Sequence, residues 1–104
     1  MKATLILKSK KIDPKGFILE MVIWALPTKT PDRPHAVKYR LYYGDNLGNC
    51  IVRYDNEQGK GDHKHIGETE EPYKFETPEK LIEDFFADID RLTQKGGNYE
   101  KTYH

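Results

Sequence analysis

The sequence predicts an α+β fold in two layers, an antiparallel four- to five-stranded meander sheet with one long C-terminal helix packed on one face. Three observations predict it. Short runs with period-two alternation, each bounded by turn residues, fill the first half of the chain. One stretch near the end has helical spacing instead, with Leu81, Ile82, Phe85, Phe86, Ile89 and Leu92 in a continuous apolar stripe. At 104 residues the chain is one small domain, able to bury about two thirds of its extended surface around a single core.

Residues 2–9 form the first expected strand, with Ala3, Leu5 and Leu7 on one face and Thr4, Ile6 and Lys8 on the other. Asp13-Pro14-Lys15-Gly16 turns the chain, since proline presets φ and glycine accepts a positive φ. Residues 17–26 are apolar on both faces except at Glu20, the pattern of a central strand paired with the first as a hairpin. Residues 27–35 hold three prolines and cannot lie inside a sheet. His35 ends that loop and is expected at its solvent-exposed surface.

Residues 36–43 alternate, placing Val37, Tyr39, Leu41 and Tyr43 opposite Lys38, Arg40 and Tyr42. A turn rich in Gly, Asn and Asp leads to a fourth strand, residues 50–55, with Cys50, Val52 and Tyr54 opposed to Ile51, Arg53 and Asp55. Beyond the stretch 54–65, Tyr73 and Phe75 share a face, either as a short edge strand or as a pin to the core. Thr77-Pro78-Glu79 then opens the helix with an N-cap, a proline at its first position and an acid in its first turn. Gly96-Gly97 ends it. The domain is expected over residues 1–97, followed by a polar tail, 98–104.

Charge and composition exclude several classes. The 17 basic and 17 acidic side chains cancel, so no bulk positive field draws nucleic acid and any such binding must come from segregated charge. Most Lys and Arg lie within residues 1–64, whereas residues 68–90 are rich in Glu and Asp. A single cysteine, Cys50, rules out an internal disulfide and a cysteine-rich zinc site. No run reaches the roughly 20 apolar residues of a membrane span. A soluble, cytoplasmic protein with no membrane partner is expected.

The stretch from Tyr54 to His65 concentrates two histidines, two lysines, two aspartates and two glycines. In an extended chain His63 and His65 point the same way. Three readings follow. Without metal, His63 and His65 transfer protons in cleavage of RNA by its 2′-hydroxyl, with Asp62 orienting an imidazole and Lys60, Lys64 and Arg53 stabilising phosphate charge. Gly59 and Gly61 let backbone amides approach an anion. With metal, the His-x-His pair and Asp55 or Asp62 serve a phosphodiesterase. The third reading is a solvated loop, or a binding module without catalysis. Lys38, Arg40, Tyr42, Arg53 and Tyr54 are the candidate substrate-binding residues beside it, a basic and aromatic patch suited to phosphates and stacked bases. No resident cofactor is expected on the metal-free reading.

The run Gly16-Phe17-Ile18-Leu19-Glu20-Met21-Val22-Ile23-Trp24, then Tyr39-Arg40-Leu41-Tyr42-Tyr43, Arg53-Tyr54-Asp55-Asn56-Glu57, Gly59-Lys60-Gly61-Asp62-His63-Lys64-His65 and Glu71-Pro72-Tyr73 resembles the TumE-type family of prokaryotic toxin–antitoxin proteins. The likeness spans nearly the whole chain, and the portion Tyr-Asp-Asn-Glu followed by Gly-Asp-His-x-His is its most specific part. It implies the toxin of a type II system, neutralised by direct contact with a cognate DNA-binding antitoxin. The endoribonuclease assignment comes from the site residues and not from the resemblance.

Overall fold

The computed structural model describes residues 2–57 and 61–96. Gly59, Lys60, Gly97 and the tail 98–104 lie outside the described residues. Six strands follow one another in chain order, β1 Thr4–Ile12, β2 Ile18–Ala25, β3 Val37–Gly44, β4 Cys50–Asp55, β5 His63–Ile66 and β6 Thr69–Pro72, before the helix α1, Pro78–Gly96. All five pairings are antiparallel and sequential, so the sheet is a pure meander.

The expected four to five strands become six because the stretch around His63 is a strand and not a loop. His63 to Ile66 pairs with β4 on one side and with the acidic Thr69–Pro72 on the other. Gly67, at φ 60°, occupies the first of the two turn residues joining β5 to β6, where a tight hairpin favours glycine. Alternation among His63, Lys64 and His65 gives no hydropathy contrast, and the pairing comes from the neighbouring strand. Exposed along its whole length, β6 places glutamates at the sheet edge, a charge pattern that discourages edge-to-edge association.

Two bulges also revise the expected faces. Between Leu5 and Leu7 the register shifts, so that Leu5 lies opposite Trp24 and Leu7 opposite Ile23, and the two leucines no longer share a face. Between Tyr43 and Gly44 a second shift pairs Gly44 with Cys50 and Tyr43 with Val52. Ile51 thereby turns inward to pack on the core, and Cys50 turns to the opposite face from Val52 and Tyr54.

The core lies between the sheet and α1. Ile23, Val37, Tyr39, Leu41, Val52 and Tyr54 from the sheet meet Leu81, Phe85 and Ile89 from the helix. Thr77 caps α1 as its sequence implies, its Oγ1 accepting from the Lys80 amide at 3.0 Å. Tyr73 and Phe75 act as pins. The Tyr73 hydroxyl donates to Asp84 Oδ2 at 2.7 Å, and Phe75 packs on His35 and Tyr39. With one face closed by the helix, the other is left open across β2 to β6.

Candidate functional site

Register alone determines what that open face carries. Residues directly paired across a sheet share a face. One row therefore contains Val22, Arg40, Asp55 and His63, and the next contains Glu20, Tyr42, Arg53, His65 and Glu70. Period-two alternation along β5 puts both histidines outward and Lys64 inward. Their rings stand 5.1 Å apart, edge to face.

His63 is 5 % exposed and held from both sides. Its Nδ1 donates to the Gly61 carbonyl at 3.1 Å, a group that can only accept. Nε2 then lies 2.6 Å from Asp55 Oδ1, within ion-pair distance. Asp55 is itself 1 % exposed, and its other oxygen is 3.1 Å from Arg53 Nε. Both approaches are off-line, so neither Asp55 oxygen receives a directed hydrogen bond among the described residues. The buried carboxylate is held by charge on its two flanks.

His65 is more open and sits between Arg53 and Glu70. Burial and the Arg53 guanidinium hold its ring below the usual histidine range, with Glu70 opposing them in part. Arg40 lies 5.2 Å over the Tyr42 ring, which extends above Gly44, where a Cβ would collide with its hydroxyl. Beside these residues a hollow of about 120 Å³ is lined by Val22, Trp24, Lys38, Arg40 and Asp55, among others. Cations, an aromatic floor and two histidines thus share one surface.

Asp62 does orient an imidazole, that of His35 and not of His63. His35 Nε2 donates to its carboxylate at 2.9 Å, while His35 Nδ1 accepts from the Val37 amide at 3.1 Å. The ring is therefore a fixed tautomer with its proton on Nε2. Tyr39 donates to the same carboxylate at 2.7 Å, and burial followed by this bond pushes its phenol far above the usual range. Asn56 continues the pairing of β4 beyond Asp55, its Oδ1 accepting from Tyr39 N and its Nδ2 donating to Val37 O. Arg33 donates to the Asn56 carbonyl at 3.0 Å. These contacts anchor the proline-rich loop to the start of β5. His35, expected at the surface, is therefore a partly buried structural residue.

Lys64 and Tyr54 lie on the helix side. Tyr54 is 1 % exposed and donates to Asp88, and Lys64 Nζ is 3.1 Å from Asp88 Oδ2. Burial alone would raise the Asp88 carboxyl, but bonds from Tyr54, Lys64 and Arg91 bring it below the usual range. The structure therefore brings together His63, His65, Arg53, Arg40, Tyr42 and Lys38 on the open face. It places Asp62 at the end of the sheet and Lys64 and Tyr54 under the helix, whereas Lys60 lies outside the described residues. Sequence reasoning did not single out Trp24 or Glu70, and Asp55 entered only as a possible neighbour. A hairpin register for residues 50–66 would have found Asp55, and one for residues 63–72 Glu70.

Each of His63, His65 and Glu70 offers a ligand atom, and the three atoms lie within 4.8 Å of one another. No helix among the described residues is long and apolar enough to cross a membrane. In comparison with known proteins, the family model described as Toxin TumE matches residues 2–93. No curated protein and no solved structure matches the chain.

Proposed function

This chain belongs to the TumE toxin family, and from that premise we propose that it is the toxin of a type II toxin–antitoxin pair and acts as a metal-independent endoribonuclease in the cytoplasm. A toxin family implies a cognate antitoxin; a DNA-binding antitoxin that covers the open face completes the proposal. The observation that carries the reading is the buried Asp55–His63 pair with His65 beside it on a face bearing Arg40, Tyr42 and Arg53.

His65, held below its usual range, is neutral at pH 7 and takes the proton of a ribose 2′-hydroxyl. The 2′-oxygen attacks the adjacent phosphorus, and the P–O bond to the 5′-oxygen breaks. A proton from the His63–Asp55 pair passes to that leaving oxygen, giving a 2′,3′-cyclic phosphate and a 5′-hydroxyl. Arg53 and Arg40 stabilise the extra negative charge on the phosphorane. Tyr42 and Trp24 offer ring faces to bases.

The test is cleavage of a defined RNA by purified protein in chelator, with the new ends identified. His65→Ala and His63→Ala are each expected to slow cleavage by about 10²–10⁴-fold. Wild-type rates in both folded variants, or intact RNA with the wild-type protein, overturn the reading.

A further inference from the structure

We propose that the open face carries a binding site for one divalent transition-metal ion of the zinc class, ligated by His63, His65 and Glu70. The sheet builds it. Two adjacent strands contribute, β5 through both histidines and β6 through Glu70; the pair His65↔Glu70 puts the ligands on one face, and Asp55 of β4 lies across from His63 on the same face. The donor atoms of the histidines and Glu70 already lie within 4.8 Å of one another, with His63 Nε2 3.7 Å from Glu70 Oε2. Tetrahedral zinc with bonds of about 2.1 Å places its donors about 3.4 Å apart. Glu70, 54 % exposed, has the freedom to close the difference by side-chain rotation.

Two further observations point to a cation. The Nδ1 bond of His63 to the Gly61 carbonyl is the outer contact that fixes a metal-binding imidazole and presents Nε2. Asp55, fully buried and pointing at that nitrogen, has two oxygens without a directed hydrogen bond. Such an unsatisfied carboxylate is costly unless a cation draws on it. Two imidazoles with one carboxylate favour zinc-class ions over magnesium or calcium, which take mainly oxygen donors. Arg53 is the opposing charge on this face, and its contact with Asp55 already offsets part of it.

Metal and proton compete for the same nitrogens, so bound zinc would suppress RNA cleavage; this regulatory consequence rests on the acid–base reading, whereas binding does not. The test therefore uses no RNA. Cobalt(II) is titrated into the metal-stripped protein, followed by its visible absorption and then displaced with zinc. One equivalent with a tetrahedral spectrum is expected, and His65→Ala and Glu70→Gln should each weaken binding more than tenfold while circular dichroism stays unchanged. Absence of stoichiometric binding by the wild-type protein, or equal affinity in both folded variants, overturns the proposal.

Discussion

Two aspartates seven positions apart each face an imidazole, and their surroundings divide their roles. Asp62 is saturated by His35, Tyr39 and Asn56, whereas Asp55 has only ion pairs at its flanks. A saturated carboxylate positions, and an unsaturated one remains available for chemistry. The residue types at this site were legible in the sequence because Gly-Asp-His-x-His is dense in titratable groups. Their pairing was not, since proximity in sequence favours Asp62 and only the register of β4 with β5 brings Asp55 to His63. His65 carries the pH prediction. Its conjugate acid is weakened by burial and by Arg53, so the neutral base persists to lower pH than in an ordinary histidine. The acid limb of the cleavage rate should therefore fall below about pH 6.5. Replacing Glu70 with Gln removes the opposing charge and should move that limb further down. A limb at or above the ordinary histidine value in the wild-type pH–rate profile would count against His65 as the base.

Among the elements, α1 was the most legible, because a capping threonine, a proline at the first position and a 3.6-residue apolar stripe all agree. Strand β5 was the least, because alternation among His, Lys and His carries no hydropathy contrast. The bulge at Ile51 was equally hidden, since one extra residue exchanges faces without changing composition. The helix is fastened to the sheet by Phe85, at 0 % exposure, and by the polar contact of Tyr54 and Lys64 with Asp88. Tyr54→Phe keeps the ring and removes the hydroxyl that bonds the charged Asp88 and lies 3.2 Å from the Asp84 carbonyl, so urea denaturation should report a loss of about 1.5–3 kcal/mol. Cleavage by the folded variant should be unchanged, because Tyr54 does not reach the open face. A tenfold fall in rate with stability intact would return Tyr54 to the substrate-binding residues.

Across the whole molecule the sheet separates two kinds of polar chemistry. The open face gathers histidines and cations, while the helix side and the sheet end bury phenols against carboxylates. Tyr39 donates to Asp62, Tyr54 to Asp88 and Tyr73 to Asp84, and burial followed by these bonds raises all three phenols above the usual range. The linkage has a definite sign. An unfolded tyrosine releases its proton near pH 10, whereas these three keep theirs in the fold. Their contribution is fully present below about pH 10 and is lost as pH rises towards the raised values. Thermal unfolding measured from about pH 8 to pH 11 should show a plateau and then a steepening fall in Tm. Tyr39→Phe, which removes one of the titrating groups, should make that fall shallower even though its Tm starts lower. A curve of unchanged slope in this variant would mean that the phenol–carboxylate bonds do not couple the alkaline limit to folding.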